Sequence, residues 1–312
     1  PITDIKIADG DLVLSTMGRG FWIMDDLTPV RQWTDRMASA QVHLFQPADA
    51  VRERRGGFGG FGGSTPDQPQ WSPAGVTVDY FLPTAARSVQ LEFVGVDGTV
   101  RSFEATGTGV GTEQAQEMRA PFQRRTGVPR LDASEGVHRF VWDLTVPGPG
   151  GAPRGGPMVV PGTYEARLTV DGRTESRSFE VMMDPRVAAD GVTVADLRSQ
   201  FDLALEIQRA MEDAAGTIER VEGAMQQAAD GSEVETQLEG IYDALVTDRD
   251  ISSYPQPMLA DQLRYLYGNT ISADQEPARD MYTRLETLRD ELQQHQQRLQ
   301  QLLRTITDDG AM

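Results

Sequence analysis

The hydrophobic period of the chain changes once, at residues 184–186, and this change constrains the fold more than any other feature of the sequence. Between residues 76 and 183 apolar side chains recur at every second position, the pattern of strands with one buried face. After Asp184-Pro185-Arg186 they recur at spacings of three and four, the pattern of helices with one buried face. The sequence therefore predicts a multidomain protein in which a β domain precedes an all-α domain.

The β domain, predicted over residues 76–184, consists of short alternating strands joined by tight turns. Asp97-Gly98 and Asp171-Gly172 lie between apolar runs, where two-residue hairpins require positive φ angles. Such a pattern is typical of an antiparallel β-sandwich. Two loops, residues 106–135 and 147–161, are too long for simple turns. Three alternatives stay open for them: they lack order, pack on a neighbouring domain, or line a site.

The all-α domain, predicted over residues 185–312, is expected to be a bundle of four helices. Thr193 is a suitable N-cap, because Asp196 stands three residues later in the position of a capping-box acid. The first long helix is expected to bury one stripe, which Gln208 and Glu222 interrupt: Leu197, Phe201, Ala204, Met211, Ala215, Ile218 and Met225. The last helix carries an unbroken heptad seam: Met281, Leu285, Leu288, Leu292, His295, Leu299, Leu302 and Ile306. Long helices with such seams pack against each other.

An apolar hairpin, residues 11–26 around Gly18-Arg19-Gly20, precedes both domains and has no evident partner sheet in the sequence. Because a lone hairpin is marginally stable in water, we expect residues 1–47 to be terminal strands of a larger β domain with an exit segment. The chain is accordingly expected to be the C-terminal part of a longer protein. Residues 48–75 are rich in Gly, Pro and Arg and predict a linker.

Composition excludes several classes of partner. The formal net charge of −18 predicts no nucleic-acid partner, because phosphate binding needs clustered positive charge. The chain has no cysteine, which excludes a disulfide scaffold and a cysteine nucleophile or zinc ligand. No apolar run approaches the roughly 20 residues of a membrane-spanning helix, so no membrane span is predicted.

Three stretches together resemble one bacterial family. Residues 15–27 resemble the final blade of BNR-repeat β-propellers of the sortilin type, often labelled glycosyl hydrolases. Residues 136–144 and 160–168 are similar to the Ig-like sandwich of the flagellar-hook protein FlgD and to the sandwich that follows the propeller in this family. Residues 254–277 look like the helical tail of the family. The first stretch departs from the strict BNR pattern, because Met17 stands where the Asp-box has its aspartate.

The resemblance implies an exported protein, periplasmic or extracellular, whose other propeller blades lie upstream. It implies that this region is a non-catalytic accessory part, which braces and presents a propeller that binds glycan or peptide. Two alternatives stay open. The parent protein is a glycoside hydrolase whose catalytic groups lie on other blades, or the heptad helices form an assembly module with another chain.

Few residues in the chain are candidates for chemistry. A glycoside hydrolase needs two carboxylates roughly 5 to 10 Å apart on one site. Asp25 and Asp26 are adjacent, so on a strand they point to opposite faces, and we interpret them as closing the strand and capping the next turn. No catalytic residue and no cofactor is therefore predicted in this chain.

Ligand-surface candidates are Trp142, whose ring could form a sugar platform, and Asp143 beside it, although Trp142 is better interpreted as a core anchor. Arg124 and Arg125, in the loop of residues 106–135, could bind an acidic sugar or the propeller, or pair within the chain. The three histidines, His43, His138 and His295, lack metal-ligand spacing, so no metal site is predicted.

Overall fold

A computed structural model of the 312-residue chain describes residues 1–8, 10–34, 42–54, 74–106, 130–229, 231–248 and 255–309. It contains antiparallel sheets and a C-terminal helical region, as the change of hydrophobic period predicts. The chain divides into two compact units. The β unit comprises Pro1–Val146 and Val159–Arg186, and the helical unit comprises Pro147–Met158 and Val187–Met312.

A three-stranded antiparallel sheet opens the β unit, with the strand order β1-β2-β3. Its strands are β1 (Ile2–Ala8), β2 (Asp11–Thr16) and β3 (Phe21–Met24). The strands β2 and β3 form the predicted hairpin, but the expectation that nothing precedes them to pair with is wrong, because β1 pairs with β2. The alternation of Ile5 and Ile7 with polar residues was the sequence signal for this strand.

Two further sheets form the rest of the β unit. The five-stranded sheet has the order β5-β11-β10-β7-β8, and the three-stranded sheet has the order β4-β6-β9. All neighbours are antiparallel except β5 and β11, which run parallel. The strands are β4 (His43–Leu44), β5 (Ala50–Arg52), β6 (Val76–Leu82), β7 (Ser88–Gly95), β8 (Gly98–Thr106), β9 (Gly136–Trp142), β10 (Gly162–Val170) and β11 (Arg173–Met183).

An aromatic core joins these two sheets. Phe93 on β7 stacks on Trp142 on β9, with the ring centroids 4.2 Å apart, and both side chains are fully buried. The inward residues follow the predicted period of two, and all are buried: Val76, Val78, Tyr80, Leu82, Val89, Leu91, Phe140, Ala166, Leu168, Val170, Phe179 and Val181. Period-two patterning therefore identified the core face of these strands correctly.

The two predicted Asp-Gly turns differ in geometry. Asp171 and Gly172 both have positive φ angles, 48° and 85°, as a two-residue turn between β10 and β11 requires. In the other hairpin the turn lies at residues 96–97, since Gly95 pairs with Gly98. Gly98, with a φ of 111°, is therefore the first residue of β8 rather than a central residue of the turn.

The segment predicted as a linker contains β5. Arg52 on this strand is buried, and its Nε donates a hydrogen bond to the carbonyl oxygen of Val159 at 2.8 Å. Pairing of β5 with β11 explains why these residues are ordered in a region of linker-like composition. The remainder of the predicted linker, residues 55–73, lies outside the described residues.

The segment that follows β3 lies on the outer face of the sheet β4-β6-β9. Arg139 on β9 forms a bidentate ion pair with Asp79 on β6, with both nitrogen–oxygen distances at 2.9 Å. The same guanidinium donates to the backbone carbonyl oxygens of Asp25 at 3.0 Å and Asp26 at 3.4 Å. Asp79 is only 5% exposed, so this cluster anchors the first sheet to the aromatic core.

The helical unit contains the four predicted helices: α3 (Val194–Met225), α4 (Glu233–Leu245), α5 (Leu259–Ile271) and α6 (Arg279–Asp309). Two shorter helices, α1 (Thr28–Gln32) and α2 (Pro185–Ala189), were not predicted. The predicted capping box at the start of α3 is confirmed, because the Thr193 side chain accepts from the Asp196 N–H and the Asp196 carboxylate accepts from the Thr193 N–H.

The buried stripe of α3 differs in phase from the prediction. Leu197 and Ala204 are buried as predicted, and Met211, Ile218 and Met225 are partly buried against the helical core, but Ala215 and Glu222 are exposed. The other half of the stripe lies one position earlier in the sequence: Gln200, Ile207, Ala214 and Val221. The sequence pattern fits either set of positions, because both lie beside the shared row of Leu197 and Ala204. The side of α3 on which the neighbouring helices lie determines which set is buried.

The leucine seam of α6 is confirmed. Leu285, Leu288, Leu292, Leu299 and Leu302 are buried in the core of the helical unit together with side chains of α3, α4 and α5. His295 lies half-buried on this seam, as predicted, and its burial lowers the pKa of the imidazole. The side chain of the predicted seam residue Ile306 lies outside the described part of the chain.

Removing the anchor should destabilise the β unit. We expect Arg139→Met to lower the free energy of unfolding by about 2 kcal/mol, because Asp79 would stay buried without its partner. Urea unfolding followed by tryptophan fluorescence measures this change. The control is Arg167→Met, which breaks a pair with Glu165 whose side chains are 39% and 35% exposed, for which we expect a change below about 0.5 kcal/mol. Equal effects of the two substitutions would contradict the anchoring role.

His295 should contribute to acid sensitivity. Since the pKa of the folded-state imidazole lies below its ordinary value of 6.5, the unfolded state binds protons first as the pH falls through 6.5. Stability is therefore complete above that pH and declines below it. We expect the melting temperature of His295→Gln to fall less than that of the wild type between about pH 7.5 and about pH 5. An equal fall would contradict this assignment.

Candidate binding surface

The sheet β1-β2-β3 carries an apolar face. Antiparallel register places Ile5 opposite Leu14 and Leu14 opposite Trp22. The adjacent row places Ile7 opposite Leu12, and Leu12 opposite Met24. Residues directly opposite in a sheet share a face, so six apolar side chains lie on one side. We call this set the apolar face: Ile5, Ile7, Leu12, Leu14, Trp22 and Met24.

These side chains are exposed to an extent unusual for a contiguous apolar set. Ile5 is 59% exposed, Ile7 55% and Trp22 41%, and Leu12 and Leu14 on the central strand are half-buried. Single apolar residues are common on protein surfaces, whereas contiguous patches mark contact surfaces. The arrangement suits a flat apolar partner such as another sheet face.

The opposite face of the same sheet has mixed chemistry. Lys6, Val13 and Ile23 share one row, and Asp4, Ser15 and Phe21 share another. Charged and polar side chains therefore interrupt this face. The two faces of the sheet therefore differ in chemistry.

The turn between β2 and β3 is fixed by local hydrogen bonds. The Thr16 hydroxyl donates to the carbonyl oxygen of Gly20 at 3.0 Å and accepts from the Arg19 N–H at 3.2 Å. Gly18 and Gly20 have φ angles of 95° and 66°, which glycine adopts without strain. The departure at Met17 does not disturb this geometry, because its side chain is 72% exposed.

The structure assigns Asp26 the capping role predicted for it. Its Oδ1 accepts a hydrogen bond from the Thr28 N–H at 2.8 Å, and its own N–H donates to Asp11 Oδ1 at 2.9 Å. Asp26 has a φ angle of 57°, a conformation that Asp tolerates better than most residues. These contacts turn the chain from β3 into the anchored segment.

The candidates Trp142 and Asp143 lie in structural positions. Trp142 is 0% exposed, so its ring is covered on both sides and offers no platform to a sugar. Its Nε1 donates to the carbonyl oxygen of Thr145 at 2.9 Å. Asp143 is exposed, and its Oδ1 accepts from the N–H and hydroxyl of Thr145 at 3.1 and 2.7 Å. Arg124 and Arg125 lie outside the described residues.

A second, smaller group of aromatic residues was not predicted. The ring of Trp33, 39% exposed, contacts Phe81 edge to face at 5.2 Å and stacks with Phe45 at 6.4 Å. His43 contacts the Phe45 ring at 4.9 Å, and its Nδ1 lies 4.0 Å from Glu175 Oε2. Its Nε2 is buried and has no hydrogen-bond partner among the described residues, and burial lowers the pKa of the imidazole. Strand pairing of β4 with β6 creates this group, which sequence spacing does not show.

No group of three or more histidine, aspartate or glutamate side chains within the described ranges is arranged to hold a metal ion. Among the helices of those ranges, none is both long and apolar enough to cross a membrane. No protein-family model, curated protein or solved structure matches this chain.

The exposure of the apolar face predicts a measurable surface property. We expect the double variant Ile5→Thr, Ile7→Thr to bind less of the fluorescent dye ANS than the wild type, since it removes two of the six side chains of the apolar face. The substitutions should lower the free energy of unfolding by less than about 1 kcal/mol, because both side chains are already largely in water. Val96→Thr, at a residue 84% exposed in an isolated turn, is the control and should leave dye binding unchanged. Unchanged binding in the double variant would contradict the assignment of the patch.

Proposed function

We propose that this chain is a non-catalytic accessory region of an exported BNR-repeat propeller protein that binds glycan or peptide. In this proposal the sheet β1-β2-β3 belongs to the last propeller blade, an Ig-like sandwich follows it, and the helical bundle braces the C-terminal end. The observation that carries the proposal is the contiguous apolar face on β1, β2 and β3.

The apolar face has the chemistry that a blade needs. Propeller blades are antiparallel sheets of about four strands arranged around an axis. Each blade packs its face on the next, and side chains of two packed sheets interdigitate in a dry layer about 10 Å thick. Ile5, Leu14 and Trp22 form a continuous row across three strands, which suits such packing. The sequential order β1-β2-β3 is also that of strands within a blade.

The Arg139 cluster supports a bracing role for the rest of the β unit. Its guanidinium holds the backbone carbonyls of Asp25 and Asp26 directly after β3. Leu27 and Pro29, which follow, are buried. A sheet that is fixed at its exit can keep its apolar face in one orientation toward a partner.

Two features support the Ig-like interpretation of the aromatic core. The Tyr164 hydroxyl, near the start of β10, donates to the carbonyl oxygen of Val160 at 2.7 Å in a buried position. This bond matches the tyrosine corner of Ig-like sandwiches, in which a tyrosine hydroxyl bonds to the backbone a few residues upstream. The fully buried Trp142 between the two sheets matches the buried tryptophan of the same fold.

The helical seam favours bracing over assembly. The seam leucines of α6, among them Leu288 and Leu299, are both 0% exposed because α3, α4 and α5 cover them within the same chain. A seam that is already buried does not offer its leucines to a second chain. The contact of Asp26 is of a structural kind, because its carboxylate accepts a hydrogen bond from the Thr28 N–H.

Hydrogen–deuterium exchange tests the proposal. Two proteins are compared: this chain and the product of the complete reading frame that encodes it. We expect amides of residues 2–24 to exchange at least about tenfold more slowly in the complete product, because a neighbouring blade would cover the apolar face. Amides of β10 serve as the internal control, since they should exchange equally in both proteins.

Equal exchange of residues 2–24 in the two proteins would overturn the proposal, as would a reading frame that encodes no further blade. The ligand part of the proposal is tested on a glycan and peptide array. The complete product should bind without cleaving its ligand, whereas hydrolysis would favour the glycoside-hydrolase alternative.

A further inference from the structure

The loop between β9 and β10 belongs to a different unit from the strands that it joins. Pro147–Met158 is part of the helical unit, whereas Val146 and Val159, at its two ends, are part of the β unit. Of the loop of residues 147–161, Pro147–Met158 therefore packs within the helical unit, and residues 159–161 belong to the β unit. The chain crosses between the two units at both ends of this loop and again after Arg186.

Two polar side chains of the helical unit hold the loop. The Tyr267 hydroxyl on α5 donates to the carbonyl oxygen of Gly155 at 2.7 Å. The Gln208 Nε2 on α3 donates to the carbonyl oxygen of Pro147 at 3.2 Å and to the Tyr267 hydroxyl oxygen at 3.0 Å. Tyr267 and Gln208 are 5% and 7% exposed, and burial raises the pKa of Tyr267 to about 12.

These contacts explain why polar side chains lie on the helices at these positions. Glu212, one turn beyond Gln208, accepts from the Gly150 N–H at 3.2 Å through its Oε1. Buried polar groups without partners cost about 1 to 3 kcal/mol each. The loop backbone supplies those partners, so α3 and α5 depend on it for their polar contacts.

The loop has a defined shape of its own. The Gly148 N–H donates to the carbonyl oxygen of Ala152 at 2.7 Å. A Cβ atom at Gly148 would lie 2.2 Å from the carbonyl oxygen of Arg154, a distance that no side chain tolerates. The close approach of the two loop segments therefore requires glycine at this position.

The β unit fixes the ends of the loop. The Val159 N–H donates to the carbonyl oxygen of Leu144 at 2.8 Å, and this hydrogen bond holds the two ends of the loop together. The Trp142 Nε1 bonds to Thr145, and Arg52 bonds to the carbonyl oxygen of Val159. A loop whose ends are already held together pays less entropy on docking than an open segment does.

We infer that Pro147–Met158 is a strap that couples the unfolding of the β unit to that of the helical unit. Unfolding of β9 and β10 breaks the hydrogen bond between Val159 and Leu144 and separates the ends of the loop. This separation raises the entropic cost of keeping the loop bound to Tyr267 and Gln208. Loss of those contacts removes the carbonyl acceptors of the Tyr267 hydroxyl and the Gln208 amide, which destabilises the helical unit. The two units therefore unfold in one transition although each has its own core.

The chain allows each unit to be followed separately. Residues 147–158 and 187–312 contain no tryptophan, whereas Trp22, Trp33 and Trp142 lie in the β unit, so tryptophan fluorescence follows the β unit. The long helices lie in the helical unit, so far-ultraviolet circular dichroism reports it predominantly. In the full-length chain we expect the two signals to give coincident urea transitions.

Tyr267→Phe tests the strap, because it removes the hydroxyl without changing the ring. We expect the dichroism midpoint to fall by about 0.5 M urea while the fluorescence midpoint stays within error of the wild type. Gly148→Ala, which distorts the loop from its own side, should separate the two transitions in the same direction. Tyr265→Phe on the same helix is the matched control, since Tyr265 is 74% exposed, and should change neither midpoint.

Two results would overturn the inference: transitions that already differ in the wild-type chain, or Tyr267→Phe and Gly148→Ala variants whose transitions remain coincident. Neither depends on whether β1-β2-β3 belongs to a propeller, so this test and the exchange test can fail independently.

Discussion

The bidentate pair of Arg139 with Asp79 is the interaction on which the functional interpretation of the β unit depends. Hydrogen bonding to the Asp79 carboxylate raises the pKa of the guanidinium, against the opposing effect of its partial burial. The remaining guanidinium N–H groups reach the backbone of Asp25 and Asp26. The Arg139 side chain on the sheet β4-β6-β9 thus fixes the backbone directly after the last strand of the sheet β1-β2-β3. Asp79 has hydrogen-bond partners although it is almost fully buried. Together with the buried residues Leu27 and Pro29, this cluster attaches the sheet that carries the apolar face to the rest of the β unit.

The β unit uses one sequence pattern for two purposes. Alternating apolar residues on β6, β7 and β10 are buried against a facing sheet, with Trp142 and Phe93 at the centre. The same alternation on β1 leaves Ile5 and Ile7 exposed, because no described sheet of the chain covers them. Apolar side chains that stay in water forgo the free energy that burial against a facing sheet provides. The proposed role of the exposed face as a contact surface rests on this difference in exposure.

Particular residues show where sequence reasoning worked and where it stopped. The Thr193–Asp196 capping box and the positive φ angles at Asp171 and Gly172 depend on contacts within a few residues, so the sequence predicted them. Which positions of α3 are buried depends on where α4 to α6 lie. The prediction was therefore wrong at Ala215, which is exposed, while the preceding residue Ala214 is buried. Gln208 looked like an interruption of that stripe, yet it is buried because the loop backbone at Pro147 bonds to it.

The sequence by itself determined the change from period two to helical period, the four long helices, the helix cap and the core-facing residues of the main strands. These depend on backbone geometry and on side-chain periodicity, which act over a few residues. Only the tertiary structure decided that β1 completes the first sheet, that its apolar side chains share one exposed face, and that Arg139 holds its exit. Contacts between residues far apart in sequence, such as Arg139 with Asp25, decide these features, and no local pattern encodes their geometry.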